Sequence, residues 1–188
     1  MNTDIYSFIF RGVLAQSAVS EQQAGRADSN GTRDIESRLP LLLMDDAIVL
    51  QARRMSVVYT AIAAFENSAR QFIKKRLIEE MQDKWEDAIP NDRKKRAETR
   101  RDEENKIRWH AKRGDSILQY TEIEDLSAII TTNQSVFIPI VISVEWSKNI
   151  FNTVARSRNI IMHSGTLEAE DVERLSMAIR DWLNQIGG

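Results

Sequence analysis

A chain of 188 residues, 42% apolar and 29% charged with only 7 Gly and 3 Pro, has room for one good hydrophobic core and the composition of a helical protein, which excludes a disordered or many-turned β chain. Its 26 Lys and Arg against 28 Asp and Glu exclude a global attraction to nucleic acid or anionic membrane, so any such binding must come from a local patch. The absence of cysteine removes disulfides, thiolate zinc sites and thiol nucleophiles together and suits a reducing cytoplasm, where we expect the protein.

The first 20 residues, MNTDIYSFIFRGVLAQSAVS, place Asp4 before a short apolar run and have no positively charged leader, so they do not read as a secretory signal. No stretch reaches the roughly 18 uninterrupted apolar residues of a membrane span, and no membrane partner is expected. Loose helical spacing from Asp4 to Gln22, then the glycine-containing AGRADSNGTRD, predicts a helix and a loop. We read 1–40 as an N-terminal extension and 41–188 as the main, all-α domain. From Leu41 to Ile89 there is no Gly or Pro, and Ile48, Ala52, Met55, Tyr59, Ile62, Ala69 and Ile73 recur at helical spacing. That predicts one long amphipathic helix. Its stripe takes in Glu66, an inward carboxylate that requires a cation, either Arg158 or Arg70 one turn on.

Pro90-Asn91-Asp92 can start a new helix, whose following residues, RKKRAETRRDEENKIRWHAKR, hold ten Lys or Arg and four Asp or Glu. This charged segment, 91–113, reads either as a solvated, salt-bridged helix or as a phosphate-tracking surface built on Arg93, Lys94, Lys95, Arg96, Arg100 and Arg101. His110, after Trp109, can contact RNA or be a surface histidine without a role. TEIEDLSAIITT is helix-like, and SVFIPIVI, with Pro139 inside it, is read as a packed connection or broken short helix. Ser143 can cap a helix through Trp146, Ile150, Val154 and Ile161 that Gly165 stops in the left-handed conformation. Thr166 is a possible cap for a last helix with the stripe Val172, Leu175, Ile179, Trp182, Leu183 and Ile186. Trp146 and Trp182 read as core or dimer-interface residues.

The segment RSRNIIMHSG, 156–165, holds one of only two histidines. Arg158 falls in the apolar stripe and must be paired, while Asn159 and His163, four apart, stack on an adjacent side. His163 also lies in the last turn, at the negative helix end, and histidine changes charge near neutral pH. These are parts suited to phosphodiester cleavage of RNA: an imidazole to move the proton, a guanidinium to neutralise the phosphorane, an amide to hold phosphate or ring. A scaffold in which Arg158 ties to Glu66 and His163 caps its helix uses the same spacing. Two histidines and scattered carboxylates show no metal-ligand spacing, so neither metal nor cofactor is expected.

The order Arg, Asn, three residues, His at the end of a late helix resembles the motif of the HEPN superfamily, the higher eukaryotes and prokaryotes nucleotide-binding domains. FENSARQFI at 65–73, Trp85, EDLSAII at 124–130, the apolar FIPI and the acidic-start last helix resemble bacterial members in the same order. The resemblance covers roughly 45–186, and its informative element is RN-x-x-x-H. It implies a HEPN-like helical bundle, here with an added N-terminal helix. It also implies a metal-independent endoribonuclease with Arg158, Asn159 and His163 as catalytic residues, Glu66 and Arg70 in support, and a homodimer that brings two motifs together. A toxin or anti-phage effector restrained by an antitoxin or awaiting an activating protein is the implied biology. The alternative is a noncatalytic module that binds nucleotide, RNA or a partner protein.

Overall fold

The stretch between Pro40 and Pro90, free of glycine and proline, permits a long helix, and Asp46–Met81 forms one of 36 residues, α2. This computed structural model describes residues 31–187, and among the described residues there is no strand. The predicted helix over Asp4–Gln22 lies outside them. Residues 31–38, the first four of which were expected in a loop, are helical and are called α1. The chain divides after Leu50 into one unit ending there and another comprising Gln51–Gly188.

α2 is shorter than predicted at both ends. Leu41–Leu43 form a 3-10 turn, and the helix starts only where the Asp45 carboxylate accepts the Ala47 and Ile48 backbone N–H groups, at 2.9 and 3.3 Å. At the other end Gln82 adopts φ +51° and Gln82–Ala88 continues as a 3-10 helix. There Trp85 lies against Lys74, whose Nζ is 5.6 Å from the ring centroid. Ile62, Phe65, Ala69, Ile73 and Leu77 are the buried face, whereas Ile48 and Tyr59 of the expected stripe are exposed, because burial begins only at Ile62. An 18-residue window in Asp46–Ala88 reaches mean hydropathy 1.2 with 11% of it buried. By length and composition alone this helix is long and apolar enough to cross a membrane, with Arg53 and Arg54 interrupting its apolar first half.

The remaining helices are α3 (Asn91–Lys106), α4 (Ile123–Thr132), the single turn α5 (Gln134–Phe137), α6 (Val144–Met162) and α7 (Ala169–Ile186). Trp182 of α7, fully buried, organises the core, with the rings of Phe65, Phe72, Phe151 and Trp146 between 5.0 and 6.2 Å from its own. The segment around Pro139 is the short helix turn followed by bends that sequence suggests, with Val136 and Phe137 buried. Leu183, expected in the α7 stripe, is 46% exposed.

α3 docks by charge rather than by apolar area. Its one buried side chain is Ala97, and its arginines instead converge on Asp125 of α4, which is 1% exposed. Arg93 Nη1 and Arg96 Nη2 each donate to Asp125 Oδ1 at 3.0 Å, and Arg100 Nη1 lies 3.8 Å from Oδ2. The same Oδ2 accepts the Glu122 N–H at 3.0 Å, so Asp125 also closes the capping box at the start of α4. The helix expected to reach Arg113 stops at Lys106, because Glu104 receives the Arg113 backbone N–H at 3.1 Å and its Nε at 2.7 Å, which folds the chain back.

The ends of α6 set the position of the RN-x-x-x-H segment. Ser143 Oγ accepts the Trp146 N–H at 3.0 Å and caps the start, as its sequence position suggests. At the other end Gly165 N–H donates to Ile160 C=O at 2.8 Å and Ser164 N–H to Ile161 C=O at 2.9 Å, the paired bonds of a Schellman stop. The left-handed residue is Ser164, at φ +62°, and not Gly165 as expected. Gly165 is needed for space: a Cβ there would lie 2.6 Å from Ile160 Cγ2 and 2.8 Å from its carbonyl oxygen. The cap of α7 is Glu168 rather than Thr166, whose hydroxyl instead accepts a hydrogen bond from Gln51 Nε2.

Two stability measurements check these assignments. Asp125→Ala leaves three guanidinium groups, all partly solvated, without their shared acceptor and is expected to cost about 2–3 kcal/mol by urea unfolding. An unchanged urea midpoint would show that α3 is held by something else. At the α6 stop the two neighbours should respond with opposite signs. Ser164→Gly relieves a left-handed L-residue and should stabilise by about 0.5–1 kcal/mol, whereas Gly165→Ala should destabilise by about 1–3 kcal/mol.

Candidate active site at the end of α6

Glu66 is on the buried face of α2, its side chain 12% exposed. A carboxylate so placed needs compensation, and α2 supplies it one turn later: Arg70 Nη2 donates to Glu66 Oε1. The rest of the Arg70 fork reaches the 3-10 turn Ile117–Tyr120 and the residue after it, with Nε donating to Leu118 C=O at 2.8 Å and Nη2 to Thr121 C=O at 2.9 Å. Glu66 Oε2 faces Arg158 Nε of α6 at 3.7 Å. Both partners inferred for Glu66 from sequence are thus present. One carboxylate between two guanidinium groups leaves an uncompensated positive charge, and the looser contact puts most of that charge on Arg158. Its side chain is 32% exposed, so the charge faces solvent in part.

Asn159 and His163 lie on the outer side of the last turns of α6, both exposed. His163 is the C-cap, and its backbone N–H donates to Asn159 C=O at 3.2 Å. Neither side chain has a hydrogen-bond partner among the described residues, so amide and imidazole are open to an incoming group. Ile160 and Met162, beside them, are 42% and 54% exposed. The arrangement can therefore present a cation, an amide and a proton-carrying ring at one helix end.

The six basic residues singled out in α3 separate into two sets. Arg93, Arg96 and Arg100 are turned toward Asp125, and Arg100 further donates to Tyr120 C=O at 2.9 Å and Glu122 Oε1 at 2.7 Å. Lys94 faces Asp87 at 3.7 Å. Lys95, exposed, and Arg101, half-buried, have no acidic partner among the described residues. Asp125 is the residue that sequence reasoning missed. Its signal was the spacing of Arg93, Arg96 and Arg100, which puts three cations on one helical face and requires an acceptor opposite. Among the described residues no three His, Asp or Glu side chains converge as metal ligands.

Residues 60–187 match the family described as Swt1-like HEPN. No curated protein and no solved structure gives a match. The matched span runs from the middle of α2 to the end of α7 and includes Glu66, Arg70, the whole of α3, and Arg158, Asn159 and His163. The all-helical architecture agrees with that assignment, and the chain belongs to the Swt1-like HEPN family.

Proposed function

We propose that the protein is a metal-independent endoribonuclease of the HEPN type whose reacting groups are carried by the end of α6. The observation that carries this reading is Arg158: held at 3.7 Å by a carboxylate that Arg70 also engages, it keeps positive charge and partial exposure in the same last turns of α6 that carry the open side chains of Asn159 and His163. In the reaction the RNA 2′-oxygen forms a bond to the adjacent phosphorus while the bond from phosphorus to the 5′-oxygen breaks. The products are a 2′,3′-cyclic phosphate and a 5′-hydroxyl. A base removes the 2′-hydroxyl proton and an acid delivers one to the departing 5′-oxygen. His163 takes one of these roles. Arg158 neutralises the charge that grows on the non-bridging oxygens, and Asn159 holds the phosphate or the ring. Glu66 and Arg70 position Arg158 and touch no substrate.

One chain offers one imidazole at this place, so the second proton-transfer group comes from His163 of a second copy across a two-fold axis. The exposed Ile160 and Met162 beside the motif supply apolar contact for such a pairing. Lys95 and Arg101 contribute to RNA attraction, while the arginines engaged with Asp125 contribute less than their sequence suggests. A toxin or anti-phage effector, kept in check by an antitoxin or switched on by a partner protein, is the biological setting that family resemblance suggests. A noncatalytic RNA- or nucleotide-binding module is the second reading, favoured by the ion pair that already occupies Arg158.

Cleavage of a mixed single-stranded RNA pool in EDTA tests the chemistry. Arg158→Ala and His163→Ala should each lower the rate at least about a hundredfold with the fold intact. Full activity in either folded variant would end the assignment. The pairing has its own check: specific activity should fall on dilution as dimers dissociate, in step with the sedimentation-derived dimer fraction. A monomer with undiminished specific activity would remove the shared site.

A further inference from the structure

The connection between α3 and α4 carries a feature that neither the core nor the α6 site uses. Trp109 is 86% exposed, and Ile107 beside it 45%. An indole has large apolar area to lose from water, and a solvated one at a loop tip is an unmet contact. The segment 105–113, NKIRWHAKR, has four cationic residues and no acidic one; Asp102, Glu103, Glu104 and Asp115 flank it. Lys106 and Arg108 are exposed and have no acidic partner among the described residues. The tip is therefore aromatic and positively charged at once.

The base of this loop is fastened. Arg113 is tied to Glu104 through Nε at 2.7 Å and through its backbone N–H at 3.1 Å. Lys112 Nζ donates to Asn105 Oδ1 at 2.6 Å. Arg113 also lies over the Tyr120 ring, 5.9 Å from its centroid, and Tyr120 donates its hydroxyl to Gly114 C=O at 3.1 Å. Gly114 is required there: its φ is +147°, and a Cβ would lie 2.0 Å from Gln119 Oε1. His110 meets Trp109 edge to face, ring centroids 5.6 Å apart. The ring is thus braced on one side while most of its surface stays open, and the pinned loop lowers the entropy cost of ordering it on binding.

We propose that Trp109 is a stacking platform for one unpaired base of single-stranded RNA, with Lys106 and Arg108 contacting the phosphates on either side. This deepens the ribonuclease reading by naming its substrate class. An indole face stacks on any base, and the flanking cations match the charged backbone that accompanies every base. Attack by a 2′-hydroxyl in line with the departing oxygen likewise needs a flexible strand, whose bases are free to stack on protein. An acidic protein segment shares the charge but lacks the regular series of planar rings, so RNA is the occupant favoured.

The test measures binding rather than cleavage, on the full chain carrying His163→Ala so that the probe survives. Fluorescence anisotropy of a labelled single-stranded RNA should show Trp109→Ala weakening affinity about tenfold, with Trp109→Phe retaining most of it. A fully paired RNA duplex should bind equally with or without Trp109. Because Trp109 is outside the core, thermal melting should be unchanged. Unaltered single-strand affinity in Trp109→Ala overturns the inference, as does absence of RNA binding by the parent chain. Loss of binding to a poly-glutamate peptide with RNA affinity intact also overturns it, in favour of a protein contact. The ribonuclease reading fails separately, if the wild-type chain cuts no RNA, and a Trp109 effect on binding would then remain as evidence for an RNA-binding module.

Discussion

Glu66 is the point on which the polar contacts between α2 and α6 depend. A carboxylate on the buried face of a core helix costs several kcal/mol unless cations and donors meet it. Arg70 meets it from the same helix and Arg158 from α6. The geometry is unequal: Arg70 spends its guanidinium on Glu66 and two backbone carbonyls, whereas Arg158 makes the longer contact. Compensation is thus nearly complete for the carboxylate and incomplete for Arg158. The arrangement fixes an arginine and leaves part of its charge uncompensated.

The polar network extends beyond that site. Arg70 holds the carbonyls of Leu118 and Thr121, Arg100 holds the carbonyl of Tyr120 between them, and Arg100 with Arg93 and Arg96 surrounds Asp125. A half-buried carboxylate on α2 and a buried one on α4 are therefore joined through one short 3-10 turn whose carbonyls accept from both sides. Networks in which each member is satisfied favour one arrangement over near alternatives, because slipping any helix strands a charge. In α3, which buries little besides Ala97, this replaces the apolar stripe that usually sets register.

The Schellman stop of α6 completes the positioning. Ser164 turns left-handed and Gly165 comes close against Ile160, so the helix ends with His163 at its rim instead of inside the bundle. The same stop leaves Ile160 and Met162 facing outward beside the motif. Arg158, five residues earlier, points from another side of the helix toward α2. A single helix end thus has one residue anchored inward and two offered outward, which follows from 3.6 residues per turn.

The all-α class, the amphipathic α2, the Ser143 cap and the pairing of Glu66 with Arg70 were legible in the sequence, because each rests on spacing within one helix or on a cap within three residues. The RN-x-x-x-H order was legible for the same reason. Tertiary structure decided what spacing cannot: that the α2 stripe is buried only from Ile62 onward, that α3 ends at Lys106, and that Ser164 rather than Gly165 turns left-handed. It also decided that Arg93, Arg96 and Arg100 face a buried carboxylate on another helix, while Trp109 remains in water. A run of cations reads the same whether its partner is solvent, RNA or an aspartate some thirty residues away. Only packing brings that aspartate into reach, where at 3.0 Å its buried carboxylate attracts arginines that stay partly solvated.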